Sequence, residues 1–450
     1  MKVFYQLLGN TALATLTNLT VWFAITFFVY LETKSVFATG TVSGIYLTLT
    51  MISGFWFGSL VDHYRKKTVM MLSTVASLAS YAMSFALYQS AGAAAFRDVA
   101  SVSLWAFIIL LMLGVIAGNI RTIALPTLIT MLIPEEKRAR ANGLAGMLTG
   151  VSFGVVSVIS GLLVGHSGMY WVLILAGALC ILTIVHLAFL AIPERIRNTD
   201  KQAQPRSIDV RGTLAVLAGI PGIFALIFFS TFNNFLGGIF MALLDAYGLS
   251  LVSVETWGLL LGVLSFAFMI GGAVIARFGL GRNPLRALML ANIVAWLDCA
   301  LFTIRPSVAL LVAGMFLFMA ISPFMEAAEH TVIQKVVPED RQGRVFGFAQ
   351  SVEQAASPFM AFVIGPIAQF IFVPFMTEGA GARLIGGWFG TDASRGIALV
   401  FIIAGILGVI ATVIAFRSRY YRQLSARYLV PSVFCFCTIL ATSSRSFFAS

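Results

Sequence analysis

The chain has 450 residues, 59% of them hydrophobic and only 10% charged, with 29 Lys and Arg against 18 Asp and Glu for a formal charge of +11. Soluble domains carry roughly 25% charged residues, so this composition, with a mean hydropathy of +0.95, excludes a water-soluble globular protein. The basic residues sit in short loops between apolar runs, which argues against a nucleic-acid surface and for membrane topology.

A membrane helix needs about 20 apolar residues. Twelve such spans are predicted, at 8–31, 37–61, 68–88, 101–128, 141–165, 169–192, 219–243, 254–277, 284–304, 306–333, 345–372 and 395–416. If the N-terminus is cytoplasmic, the inner loops and ends hold 23 of the 29 Lys and Arg. The outer side holds five, Lys34, Arg97, Arg305, Arg383 and Arg395, and Arg121 falls inside span 4. That asymmetry places both termini in the cytoplasm of a multi-pass protein of the cytoplasmic (inner) membrane. No removable signal peptide is read at the N-terminus. The polar linker 193–213 separates a six-span unit, 1–192, from a second, 214–420, and 421–450 forms a tail. The glycine-rich stretch 373–394 is expected to cap the outer ends of the spans. Cys180 and Cys299 lie in apolar runs, and Cys435 and Cys437 in the tail, so no disulfide framework is expected.

One phrase occurs twice. Residues 134–144 read PEEKRARANGL and residues 338–348 read PEDRQGRVFGF, 204 positions apart and each between apolar runs. A repeated loop in corresponding positions marks two related membrane halves. A second pair of loops supports this. GSLVDHYRKK runs from Gly58 to Lys67, and GAVIARFGLGR from Gly272 to Arg282. The first resembles the signature loop of the major facilitator superfamily, Gly-x-x-x-Asp-Arg-x-Gly-Arg-Arg. It keeps Gly58, Asp62 and the basic end Arg65, Lys66 and Lys67, but has His63 and Arg65 where the family has Arg and Gly. The second loop has Ala276 in place of the acid.

Across residues 1–420 the order of elements resembles the drug:proton antiporter branch that includes macrolide exporters. The resemblance implies an all-α polytopic membrane protein, with twelve transmembrane helices in two pseudo-symmetric six-helix bundles. It also implies a cavity lined by spans 1, 4, 7 and 10, alternating access, and a latch of the outward-open state built on Gly58, Asp62, Arg65, Lys66 and Lys67. From the residues alone, an acid at the end of span 2 can cap a neighbouring helix N-terminus and pair with a base of its loop.

Charges at membrane depth cost roughly 2.5–3.5 kcal/mol each on insertion scales, so those retained are candidates for coupling. Glu326, Glu329 and His330 share a helical face in span 10, with Glu326 the first choice for a proton-binding carboxylate. Glu329 and His330 lie nearer the cytoplasmic end, where an interfacial salt bridge competes with a functional role. Glu353 forms a polar stripe with Gln350, Gln354 and Ser357 in span 11. Arg121 stands in register with Met325, beside Glu326, so an Arg121–Glu326 pair across the cavity is expected, with Asp62 or a loop acid as alternative partner. Asp298 is expected to snorkel outward.

Thr11, Thr15, Asn18 and Trp22 in span 1, Tyr46, Thr50 and Ser53 in span 2, and Asn233 and Asn234 in span 7 suit a cavity wall or ordinary interhelical hydrogen bonds. Gly146, Gly150, Gly154, Ser157 and Gly161 in span 5 permit close helix approach. The match GVSFG around Ser152 is rejected as a nucleophile, because it lies within a membrane span. No enzyme, metal site or cofactor is expected.

The sequence therefore reads as a secondary transporter. The leading expectation is export of hydrophobic small molecules of drug or macrolide type, driven by a proton gradient, with a single chain as the working unit and a cavity of Phe, Met and Trp. A lipid, siderophore or nutrient carrier remains open, as does a non-transporting scaffold or receptor.

Overall fold

The computed structural model of the protein describes residues 2–33, 36–92, 94–193 and 210–430. The linker falls almost wholly on 194–209 and the tail cysteines on 431–450, outside the described residues, as do the side chains of Ser157 and Gly161. All described elements are helical. They are α1 (Lys2–Thr33), α2 (Val36–His63), α3 (Lys66–Ser90), α4 (Ala94–Arg97), α5 (Val102–Gly118), α6 (Ile120–Leu132), α7 (Glu135–Ser167), α8 (Tyr170–Phe189), α9 (Val210–Ala218) and α10 (Ile223–Leu249). There follow α11 (Val254–Leu264), α12 (Phe266–Phe278), α13 (Pro284–Leu301), α14 (Val308–Val336), α15 (Gln342–Ile367), α16 (Val373–Thr377), α17 (Ala380–Phe389), α18 (Ala393–Arg417) and α19 (Arg419–Leu429).

Eleven helical stretches among the described residues are long and apolar enough to cross a membrane. The 33-residue α7, with its charged first turns, corresponds to the remaining expected span. Span 4 is not one helix: it breaks at Asn119, between α5 and α6. There the Asn18 amide of α1 reaches over Gly118 and donates to the Val115 carbonyl at 3.3 Å. The same carbonyl still accepts the Asn119 N–H at 3.2 Å, so the amide crowds the helix ladder without opening it where the span bends.

The halves meet through two matching pairs. α2 packs on α15, and α7 packs on α12. Both rely on glycine. A Cβ on Gly58 would stand 2.6 Å from the Gly343 carbonyl, and one on Gly347 would stand 2.9 Å from the Gly58 Cα. In the other pair, a Cβ on Gly150 would lie 2.6 Å from Phe268 and one on Gly154 2.7 Å from the Ser265 hydroxyl. These contacts put the span 5 glycine stripe against the second half. Gly347→Val is expected to cost about 1–3 kcal/mol through overpacking and to separate α2 from α15. Thermal denaturation in detergent checks this, and Val tolerated with no loss of stability would contradict the packing.

Three cores follow. One joins both halves at the end that carries the charged loops, from Phe4, Val61 and Leu128 to Ile275, Ile333 and Phe346. Of the other two, one draws only on residues 21–180 and the other only on 236–404. The halves are thus sealed together at this basic end and have separate cores toward the far end.

Two charged residues mark the far end. Arg395, at the expected start of the last span, lies in the first turn of α18 and is fully buried. Its guanidinium stacks 4.2 Å from the Phe389 ring centroid and donates to the Thr303 carbonyl, which pins α17 to the bundle. Asp298 is half-buried, and one of its oxygens, Oδ2, is buried without a hydrogen-bond partner.

Candidate functional site

Between the halves lies a cavity of about 720 Å³. Helices α1, α6, α10 and α14 contribute to its wall, as expected for spans 1, 4, 7 and 10, and α2, α7, α13 and α15 contribute as well. Of the anticipated wall residues, Thr11, Thr15, Asn18, Tyr46, Asn233, Gln350 and Gln354 line it. Trp22 is not among the lining residues; it stacks behind Tyr46 with ring centroids 4.0 Å apart.

Trp296, Phe318, Phe346 and Met325 are in the lining, as expected of Phe, Met and Trp, and carboxamides are prominent beside them: Asn119, Asn142, Asn234 and Asn292 join Asn18, Asn233, Gln350 and Gln354. The sequence reading missed Asn119, Asn142 and Asn292, because an isolated Asn within a span has no stripe around it to mark a wall.

Glu326 is exposed in the cavity. Glu329, one turn further on α14, makes no salt bridge among the described residues. Its carboxyl lies close to the Glu353 carboxyl of α15 and to the Ser230 hydroxyl of α10. Three helices of the second half thereby converge on one carboxyl pair. One oxygen of each, Oε1, is buried and unpartnered. His330 turns instead onto Phe346, edge to face at 5.3 Å.

Arg121 does not meet Glu326. Its guanidinium is buried and held by neutral groups of its own half, at 2.8 Å from both Asn10 Oδ1 and Thr74 Oγ1. Asn10 in turn donates to the Thr183 carbonyl at 2.9 Å. Neither Asp62 nor a loop acid pairs with Arg121 among the described residues.

The closed end is built on Asp62. Its carboxylate accepts the backbone N–H of Gly343 at 2.7 Å and of Arg344 at 2.8 Å, capping the start of α15. The Arg344 guanidinium stands 3.8 Å away, with side-chain exposures of 5% for Arg344 and 3% for Asp62, so the contact is shielded from water. Arg344 also donates to His63 Nε2 at 2.9 Å, while His63 Nδ1 donates to the Ser59 carbonyl at 2.8 Å. His63, which departs from the family pattern, thus orients the arginine.

The base paired with Asp62 is not supplied by Arg65 or Lys67. Arg65 is exposed, and Lys67 donates to the carbonyls of Ala188 and Leu190 at the end of α8. Lys66 adds positive charge near Asp62.

At the pseudo-symmetric place Ala276 offers no carboxylate, and other groups close the gap. Lys335 pairs with Glu135 at 2.6 Å. Asn142 donates to Thr331 and Gln334 at 2.9 Å. Arg138 donates to the Gln334, Thr130 and Ile133 carbonyls.

A two-bundle helical membrane protein with a cavity of mixed polar and apolar lining between its halves, closed at one end, has the architecture of a solute carrier. Residues 7–361 match the Major Facilitator Superfamily, and the chain belongs to that family. No curated protein sequence matches it. Among solved structures, it is similar to the human organic anion transporter MFSD10 (TETRAN) at 13% identity and a TM-score of 0.67, over 90% of this chain and 99% of that one. The proton:xylose symporter XylE, solved with 6-bromo-6-deoxy-D-glucose, matches at 15% identity and 0.66, over 95% and 99%. A bacterial homologue of the iron transporter ferroportin, in an outward-facing state, matches at 17% and 0.66, over 93% and 100%. At these identities the likeness concerns the fold, which supports a multi-pass secondary transporter.

Proposed function

We propose that this transporter couples proton entry to export of an oxygen-rich hydrophobic small molecule, of macrolide type, from the cytoplasm. The observation that carries this reading is the Glu329–Glu353 pair beside a carboxamide wall. Two carboxyls in contact within a membrane interior hold one proton between them, because two adjacent negative charges repel and are poorly solvated. Glu329 has the Ser230 hydroxyl beside it and Glu353 has no such neighbour, so the proton is assigned to Glu353.

In this reading the basic end is cytoplasmic and the observed state is outward-open, with Asp62 as its latch. A proton taken up from outside neutralises the pair, and its release inward follows when the latch opens. Coupling requires that substrate and proton favour different states of the carrier. Gln350 and Gln354, with the amide hydrogens that Asn18, Asn119, Asn233 and Asn234 leave free, offer donors to ether, ester and hydroxyl oxygens without demanding a charged cargo. Glu326 and Arg121 are proposed to set the charge preference of the cavity, while Glu329 and Glu353 carry the proton.

The same wall favours a second reading, uptake of a polyhydroxylated nutrient by proton symport, and one structural neighbour is a proton:xylose symporter. Purified protein in proteoliposomes with an imposed pH gradient separates the two. Antiport predicts that substrate moves against the proton flow, at least about tenfold faster than without the gradient. Movement of a sugar with the proton would establish the second reading, and gradient-independent flux of every substrate would contradict both.

A further inference from the structure

The helix that follows the last span has no place in the transport cycle described above. α18 ends at Arg417, a single residue, Ser418, intervenes, and α19 begins at Arg419. The Ser418 hydroxyl accepts the Tyr421 N–H at 3.1 Å and caps α19. The chain therefore turns into a new helix where it leaves the membrane span.

α19 has two contrasting faces. Leu424, Ser425 and Tyr428 are buried, and Leu424 and Tyr428 belong to the core that joins the two halves. The contact is close: Gly222, at φ +87°, begins α10, and a Cβ there would lie 2.5 Å from the Tyr420 carbonyl and 3.0 Å from Leu424. Ser425 is bound by the Asn283 amide at 2.7 Å. The other face carries Arg422 and Arg427, continuing Arg417 and Arg419, all exposed, and α19 has no acidic residue. Among the described residues no carboxylate pairs with any of the four arginines. The chain itself offers no clear counter-charge, since 194–209 holds four basic and three acidic residues and 431–450 a single arginine and no acid.

The buried face reaches the gate. The Tyr428 ring lies 4.5 Å below Lys335 Nζ, and the same ammonium makes the 2.6 Å bridge to Glu135 of the opposite half. Burial pushes the Tyr428 phenol up to about 12, so the ring stays neutral under Lys335. α19 is thus a strap with exposed arginines on one face and, on the other, an aromatic contact beneath the bridge that holds the closed end.

We propose that the arginine face of α19 is a binding site for anionic phospholipid headgroups, and that lipid bound there holds the basic end closed. A basic amphipathic helix at the headgroup level is drawn to an anionic surface by each exposed arginine. Lipid that fixes α19 also fixes Tyr428 and, through it, Lys335 opposite Glu135.

The test uses the full chain in nanodiscs of phosphatidylcholine, with and without phosphatidylglycerol. Cys435 and Cys437 are replaced by Ser, and Ala141→Cys, in the core of the closed end, reports opening by maleimide labelling. Retained lipid is counted by mass spectrometry. The chain with native α19 is expected to prefer phosphatidylglycerol about tenfold or more, with Ala141→Cys labelled several-fold more slowly in its presence. Arg417→Gln/Arg422→Gln/Arg427→Gln should lose both effects, and Lys137→Gln/Arg140→Gln, at the same end but off α19, should keep both. Absence of any lipid preference, or equal loss in the two variants, overturns the site. Preference without a change in labelling overturns the link to the gate. Neither readout depends on cargo or coupling ion, so the outcome is independent of the proposed transport reaction.

Discussion

Asp62→Asn is expected to open the basic end. The carboxylate gathers two backbone N–H groups at the start of α15 and faces the Arg344 guanidinium, all out of water. Hydrogen bonds to a charged acceptor contribute roughly 1.5–3 kcal/mol each, and the positive end of a helix adds to them. An amide retains one acceptor oxygen and turns an NH₂ toward a remaining donor, so the closed state should lose about 3 kcal/mol, roughly a hundredfold in the balance of states.

Distances between spin labels across the basic end, or labelling of Ala141→Cys, check this. Gly343→Ala provides an independent route to the same result, because its Cβ would fall on the Asp62 carboxylate. The charge stays and the cap is lost. If both variants remain as closed as the native chain, Asp62 is a bystander.

Glu353→Gln is expected to abolish gradient-driven transport while preserving substrate exchange. A glutamine keeps the shape of the side chain and can donate to Glu329, so the helices should stay in place. It cannot release a proton, so the state of the carrier no longer responds to pH at this site. Accumulation driven by a pH gradient should fall by at least about tenfold, toward the leak of empty liposomes, while substrate-for-substrate exchange stays within about twofold. Glu329→Gln should lose coupling as well, since it removes the neighbour that makes protonation of Glu353 favourable. Glu326→Gln, exposed in the cavity, should change affinity for charged cargo and leave coupling intact. Transport that remains fully gradient-driven in both Glu353→Gln and Glu329→Gln would remove the pair from the mechanism.

Much of the fold was legible because membrane helices announce themselves by length and apolarity, and because the repeated phrase carries the symmetry. What was harder to read lay between segments remote in sequence. The chemistry of Asp62 as a helix cap could be read from its place at the end of span 2. Its partner could not: Gly343 and Arg344 lie some 280 positions away, and the neighbouring Arg65, Lys66 and Lys67 were the obvious choice. A signal was present, for Gly343 replaces Ala139 of the first copy, and only a residue without Cβ admits a carboxylate so close to the backbone.

The Arg121–Glu326 pair failed for a related reason. Residues matched by an internal repeat occupy equivalent places on opposite walls, and equivalence is not contact. The polar shell of Arg121, Asn10 and Thr74, comes from two other spans of its own half. Glu329 and Glu353 were both marked as charges that a membrane span keeps at a cost, but their mutual contact depends on how α14 and α15 rotate against Ser230. Helical periodicity within one span does not encode that rotation.

Proton movement driven by substrate alone tests the central claim most directly. Proteoliposomes containing a pH-sensitive dye are loaded with substrate and diluted into substrate-free medium of equal pH. The account predicts that outward flow of substrate through the native protein draws protons in and acidifies the lumen, and that Glu353→Gln liposomes lose substrate without acidification. Substrate efflux through the native protein with no change in luminal pH, or with alkalinisation, would contradict it.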